Sequence, residues 1–231
     1  MGKRLLAFSA TPRVRGNSRL LLDAFLTGVG QSGEDVEKEI VETEKLDLLP
    51  CRGCLRCNLL KRCVIRKDGW PQLSEKVLAA DILVFATPIY FHHTTASCKK
   101  VIDRFRSFVH VQITETGLIH TPHTPWNKDI VLLASLGSSS DADARPLVEL
   151  FSFMQRIMGR GNRLSVICGT RLATEGQIAL EEDKLRELYS RLGLPEQLAE
   201  ADAARNLGLL QEAAAMGRRM ALHPQNGQQY L

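Results

Sequence analysis

Short apolar runs alternate with longer stretches of helical periodicity along this chain. Residues 3–9, Lys-Arg-Leu-Leu-Ala-Phe-Ser, form the first run, and residues 82–87, 130–135 and 164–168 form three more that are nearly all apolar. Runs of that length without alternation predict strands buried on both faces, as in a parallel sheet. Residues 36–46 alternate weakly and predict a further strand. Between the runs, Leu20, Leu21, Ala24, Phe25 and Val29 recur at helical spacing after Asn17 or Ser18, either of which suits an N-cap. Residues 70–80, with Leu73, Val77 and Leu78 on one face, predict a second helix, and residues 96–108 and 147–158 predict two more. Residues 110–127 hold turn formers and three histidines without a clear period, which predicts an irregular insertion. Strand, loop and helix thus repeat five times. That order predicts an α/β, doubly wound, five-stranded parallel sheet with helices on both faces.

The remainder changes character. From Gly176 onward the chain predicts two C-terminal helices broken near Gly193-Leu194-Pro195. Leu180, Leu185, Leu188 and Leu192 stripe the first, the second is Ala-rich over 198–222, and the polar tail 224–231 is expected to fray. The expected organisation is an α/β domain over 1–175, with a cysteine loop at 50–69, followed by a helical extension over 176–231. No internal repeat and no membrane-spanning run appears.

Composition narrows the chemistry. With 231 residues, 44% hydrophobic and 24% charged, the chain has the make-up of an ordinary globular protein. Its net charge of +4 is too mild to indicate a nucleic-acid partner without a basic stripe. The charge is concentrated locally: Arg52, Arg56, Lys61, Arg62, Arg66 and Lys67 surround four cysteines, with no acidic residue between Pro50 and Lys67. Cys51, Cys54, Cys57 and Cys63 fall within thirteen positions, too close for a secreted disulfide framework. Gly2-Lys3-Arg4 leads into an apolar run too short for a signal peptide, and Leu6 stands where myristoylation wants a hydroxyl. A cytoplasmic location is expected, where clustered cysteines point to metal or redox chemistry.

Open parallel sheets bind ligands beyond the carboxyl ends of their strands, which makes three exit loops one candidate site. The first, Ala10-Thr11-Pro12-Arg13-Val14-Arg15-Gly16-Asn17-Ser18, offers hydroxyls, an arginine and a helix N-terminus to an anion. A merely well-capped helix is the plainer alternative. No Walker loop occurs, and the G-x-G-x-x-G string at Gly28 to Gly33 lies at a helix end rather than between a strand and a helix, so it reads as a turn. Ser97-Cys98-Lys99-Lys100 matches S-x-x-K without companion motifs, His92 and His93 read as solvated or ligand-facing, and Cys98 and Cys168 read as core residues.

Four segments together resemble the NADPH-dependent FMN reductase and iron–sulfur flavoprotein families. They are Ser9 to Ser18, the cysteines with the run from Cys63 to Asp68, the segment from Ala80 to Phe91, and Lys99-Lys-Val-Ile-Asp103-Arg104. The resemblance covers roughly residues 3–170 and implies a flavodoxin-like fold that binds FMN. It implies that Ser9, Thr11, Arg13, Asn17 and Ser18 hold the phosphate, and that Pro88, Ile89, Tyr90, Phe91 and His92 line the isoalloxazine ring. Ser135, Leu136 and Gly137 would approach the ring from its other side. Thr11 departs from the family pattern, which places proline directly after the serine. The spacing C-x2-C-x2-C-x5-C resembles the compact motif that ligates a [4Fe–4S] cluster in iron–sulfur flavoproteins. Unmetallated thiols and zinc are the alternatives, although zinc ribbons usually separate their cysteine pairs more widely.

The resemblance implies an oxidoreductase that passes electrons between the cluster and FMN, with a ferredoxin or another acidic carrier and a small-molecule acceptor as partners. An NAD(P)H-dependent flavin or quinone reductase without a cluster is the second reading. A non-enzymatic flavin-binding or zinc-stabilised interaction module is the third. A homodimer or homotetramer is expected, with residues 110–127 bridging subunits, and neither nucleic acid nor membrane is expected as a partner.

Overall fold

In the computed structural model, which describes residues 2–223, strands β1 (Lys3–Ser9), β2 (Val36–Glu42), β3 (Ile82–Pro88), β6 (Asp129–Ser135) and β7 (Arg163–Gly169) form one sheet. The spatial order is β2-β1-β3-β6-β7 and every pairing is parallel. Counted within the sheet this is the order 2-1-3-4-5 of the flavodoxin-like fold. A separate ribbon of β4 (Val109–Thr114) and β5 (Gly117–Pro122) stands apart from it.

Successive strand residues point to opposite faces, so each apolar run feeds two cores at once. Leu6, Phe8, Leu83, Phe85, Ile130 and Leu132 meet helices α3 (Trp70–Ala79), α4 (Ala96–Arg104) and α5 (Arg145–Met158). Phe85 is central there, stacked on Phe8 at 4.8 Å and edge-on to Phe151 at 5.0 Å. Leu5, Ala7, Val84, Val131 and Leu133 meet α1 (Asn17–Gly30) and α7 (Leu198–Leu222). Burial of these side chains stabilises the sheet by about 25 cal/mol per Å² of apolar surface.

Helix α7 lies directly on α1. A Cβ at Gly28 would overlap the Ala214 carbonyl, and one at Gly217 would overlap the Phe25 carbonyl, so glycine lets the two backbones touch. The misplaced glycine string at 28–33 is therefore a packing contact followed by a turn, with Gly33 at φ 78°. Helix α6 (Glu182–Leu192) ends on Gly193 in the left-handed region, where the expected break before α7 occurs. Among the described residues no helix is long and apolar enough to cross a membrane.

Several expectations change. The second strand stops at Glu42 and gives way to a tight turn over Thr43–Lys45, and α4 stops at Arg104 before a 3-10 turn over Phe105–Phe108. Residues 110–127, expected to be irregular, contain most of the β4–β5 hairpin, closed by Glu115 and Thr116 with Thr114 paired to Gly117. The polar tail 224–231 lies outside the described residues.

Candidate functional site

The parallel register brings the three exit loops to one edge. Ser9 pairs with Ala86 and Pro88 with Ser135, so the ends of β1, β3 and β6 lie side by side. Ala10 N–H donates to Ala86 O at 2.8 Å, and Ile89 N–H donates to Ser135 O at 2.8 Å. Thr95 Oγ1 caps α4 and also donates to Ala10 O, which ties the first loop to that helix.

Gly16, not Asn17 or Ser18, is the N-cap of α1, and no acidic side chain occupies its first turn. Asn17 is buried because its amide is used elsewhere: Nδ2 donates to Leu172 O and Thr174 O at 3.1 and 2.8 Å, and Oδ1 accepts from Ile178 N–H at 3.0 Å. Its side chain is thus a staple. Ser18 is fully buried, and its Oγ has no hydrogen-bond partner among the described residues. A buried hydroxyl beside the free N–H groups of a long helix's first turn is chemically suited to a phosphate. Thr11 Oγ1 accepts from Arg13 N–H at 3.2 Å, and the exposed Arg13 guanidinium donates to Ala173 O at 2.9 Å. Ser9 is buried at the end of β1.

The loop after β3 makes a tight reversal. Tyr90 and His93 exchange backbone hydrogen bonds at 2.8 and 3.0 Å, leaving Phe91 and His92 at φ 48° and 61°. Positive φ at both central residues is ordinarily the preserve of Gly and Asn, and each costs on the order of 1–3 kcal/mol here. The reversal leaves Phe91 fully exposed and Tyr90 exposed beside it. His92 Nδ1 lies 3.1 Å from Asp143 O, and Thr87 bonds Thr94 at 2.8 Å beneath the turn. On the neighbouring loop Ser135 and Leu136 are buried, whereas Gly137 is exposed. Leu136 is clamped by Gly169 O and Leu172 N–H at 2.9 and 2.8 Å.

The cysteine loop closes at its root. Arg104 and Asp68 are both buried, with Arg104 Nη1 donating to Asp68 Oδ2 at 2.6 Å and to Leu49 O at 2.7 Å. Nη2 donates to Ile65 O at 3.1 Å, and the guanidinium carbon sits 5.1 Å from the Trp70 ring centroid. Burial alone would raise the Asp68 carboxyl, but Arg104 and the Leu49 and Trp70 N–H groups hold it below the usual carboxylate range. Asp68 and Arg104 belong to the sequence motif, yet no local pattern marks them as partners.

Beyond that root, Gly53, Leu55 and Lys61 all take left-handed conformations, and Cys57 opens the short helix α2 (Cys57–Leu60). Cys57 is buried, Cys51 and Cys63 are half-buried, and Cys54 is exposed. Burial pushes the Cys57 thiol up while Arg106 pulls it down, and Cys63 and Cys51 lie near enough to act on it. Arg106 Nη1 is 3.6 Å from Cys57 Sγ, and its Nη2 donates to Asn58 Oδ1 at 2.9 Å. Asn58 in turn bonds both backbone groups of Val111, docking the loop on β4. All six cysteines are free. Among the described residues, no three His, Cys, Asp or Glu side chains are gathered to hold a metal ion. Four thiols without a carboxylate suit iron–sulfur chemistry as a donor set, but the structure leaves them unconverged. Cys98 is core, its thiol pushed up to about 12 by burial, and Cys168 is half-buried on β7.

The family model for NADPH-dependent FMN reductases matches residues 3–166. An iron–sulfur flavoprotein from Archaeoglobus fulgidus is 34% identical over 100 residues, covering 43% of this chain and 44% of that relative. An iron–sulfur flavoprotein from Methanocaldococcus jannaschii is 30% identical over 103 residues, covering 45% of this chain and 52% of its own. The matched region thus spans about half the length of these curated relatives. Among solved structures, an FMN-dependent NADH-azoreductase from Bacillus anthracis in complex with FMN has a TM-score of 0.63 at 12% identity, covering 95% of this chain and 100% of that one. An NAD(P)H:quinone oxidoreductase from Methanothermobacter marburgensis has a TM-score of 0.61 at 15% identity, covering 97% and 100%. At such identities the likeness is one of fold.

Proposed function

The chain belongs to the NADPH-dependent FMN reductase family, and from that premise we propose that it passes electrons between FMN, held by the three exit loops, and a [4Fe–4S] cluster on Cys51, Cys54, Cys57 and Cys63. Its class is flavin-dependent oxidoreductase. The observation that carries FMN is the buried, unpartnered Ser18 hydroxyl at the N-terminus of α1. Bound there, FMN supplies transfer of one or two electrons, and the protein supplies placement. Ser18 and the first-turn N–H groups bind the phosphate, and Thr11 and Arg13 shape its rim. Pro88, Ile89, Tyr90, Phe91 and His92 cover one side of the ring, with Ser135, Leu136 and Gly137 on the other. The cluster is supported by the donor set and by the names of the matched relatives.

A cluster-free reductase that takes hydride from NAD(P)H is the second reading, favoured by the unconverged thiols. One experiment separates the two. Protein purified without oxygen is assayed for extractable flavin, iron and acid-labile sulfide alongside its visible spectrum. About four irons per chain with FMN supports the proposal, flavin without iron supports the second reading, and FAD in place of FMN overturns both.

The exposed Leu55 and Leu59 within the basic ring of Arg52, Arg56, Lys61, Arg62, Arg66 and Lys67 suit an acidic electron carrier. Its reduction rate should fall as salt screens the ring over a Debye length of about 10 Å at 0.1 M. Self-association through the β4–β5 hairpin belongs to the same reading, because Ile113, Leu118 and Ile119 are exposed there. Sedimentation velocity tests it, and a monomer at micromolar concentration removes it.

A further inference from the structure

The segment after β7, residues 170–177, supports two of the FMN loops at once. Toward the loop after β6, Arg171 N–H donates to Ser138 O and Leu172 N–H to Leu136 O, each at 2.8 Å. Toward the phosphate loop, Arg13 and Asn17 donate to the carbonyls of Ala173, Leu172 and Thr174, while Glu175 accepts from Arg15 N–H at 2.8 Å and Gly176 N–H donates to Arg15 O at 2.9 Å.

The anchor of this segment sits on the last helix. Arg171 lies at φ 51°, a conformation costly for any residue with a Cβ, and this conformation accompanies the N–H bond to Ser138. Its guanidinium grips Asp202 of α7 through both carboxylate oxygens, with Nε at 2.8 Å from Oδ2. Asp202 is fully buried and also accepts from Tyr189 OH at 2.6 Å and Arg205 Nη1 at 2.7 Å. Gln177 Nε2 closes the arrangement on Arg171 O at 2.7 Å. A buried carboxylate that accepts from three residues on three segments is lowest in energy with all of them in place, because losing one leaves a desolvated oxygen without its donor.

We propose that Asp202 is a positioning residue for FMN: through Arg171 it fixes the segment that holds both the phosphate loop and the loop beside the isoalloxazine ring. This rests on the FMN reading, and it gives the C-terminal helices, which lie beyond the family-matched residues 3–166, a part in the site. A tether that merely held α7 in place would affect stability and leave flavin affinity alone.

The test compares Asp202→Asn with Arg163→Gln. The Arg163–Asp129 pair joins the first residues of β7 and β6, at the opposite end of the sheet, so it controls for lost stability. FMN affinity is titrated by flavin fluorescence, and the visible circular dichroism of the bound flavin is recorded. Asp202→Asn is expected to raise the FMN Kd by about tenfold or more, the scale of losing an outer-layer support, and to alter the dichroism. Arg163→Gln should lower the Tm and leave both unchanged. Equal Kd values and unaltered dichroism in the two variants overturn the proposal. If Asp202→Asn does not fold, Arg171→Gly, whose backbone accepts the left-handed conformation, should show the same rise, and an unchanged Kd there overturns it. A parent protein that takes up no FMN overturns the FMN reading and this inference together.

Discussion

Replacing Arg104 by Met tests how the cysteine loop is held. Methionine roughly matches the length of the arginine stem and removes its charge and every donor. Arg104 and Asp68 have side-chain exposures of 0% and 1%, so the Asp68 carboxylate would be left without its counter-ion and out of water. Leu49 O and Ile65 O would lose donors, and Trp70 its cationic neighbour. Breaking a buried pair from one side costs about 3–5 kcal/mol, and that is the loss expected at neutral pH.

The pH dependence distinguishes this from simple loss of packing. In the parent, Asp68 is held below its unfolded value of 3.8, so its contribution is present above that value and lost as pH falls through the lowered folded one. In the variant, burial acts without Arg104 and lifts the folded carboxyl above the unfolded value. The penalty then grows as pH rises through about 4 and vanishes once Asp68 is protonated in both states. Urea unfolding at pH 7 and near pH 4 should show the gap between parent and variant narrowing in acid. The buried Cys57 thiol should also label faster in the variant. A gap under about 1 kcal/mol, or one that is equal at both pH values, would refute the account, because an uncompensated buried charge permits neither.

Four further substitutions probe other parts. Ser18→Ala removes a buried hydroxyl without a partner, so the apoprotein should gain about 1 kcal/mol while FMN affinity falls and riboflavin affinity stays; an equal loss for riboflavin would remove Ser18 from the phosphate site. Burial pulls the Lys128 pKa from 10.5 down to about 8, so the unfolded state binds more protons between those values and parental stability rises with pH there by about 3 kcal/mol. Lys128→Met should flatten that rise in chemical unfolding, and an unchanged slope counts against it. Gly217→Ala should cost about 1–3 kcal/mol by forcing α7 off α1, whereas Gly208→Ala, with nothing within 4 Å of its added Cβ, should gain up to about 1 kcal/mol. Thermal unfolding of both variants checks the opposite signs.

The sheet was legible because its central strands are buried on both faces. The first strand was expected over 3–9 and is found as Lys3–Ser9, and the third differs from its expected span only by including Pro88. The β4–β5 hairpin escaped although Val109, Val111 and Ile113 alternate with His110, Gln112 and Thr114, because β5 keeps no such alternation and Ile113, Leu118 and Ile119 stand exposed. The N-cap shifted from Asn17 to Gly16 for a non-local reason. Asn17 is locally a good cap, but the 172–178 segment claims its amide from more than 150 positions away.

Buried charge is the other thing that periodicity hides. Arg104 ends a helix and Asp202 sits among alanines, positions that a hydrophobic pattern assigns to solvent, yet both are fully buried. Distant segments bring each its partners, Leu49, Ile65 and Asp68 for Arg104 and Arg171 and Tyr189 for Asp202, to which α7 itself adds Arg205. Such a residue contributes less to net stability than an apolar one of similar size, but it penalises every arrangement in which its partners are absent. In this chain both penalties fall at the roots of loops, one closing the cysteine segment and the other locking the strap across the loops after β1 and β6. The hydrophobic runs therefore determine where the sheet lies, and these buried ion pairs determine which loop arrangements at its carboxyl edge are allowed.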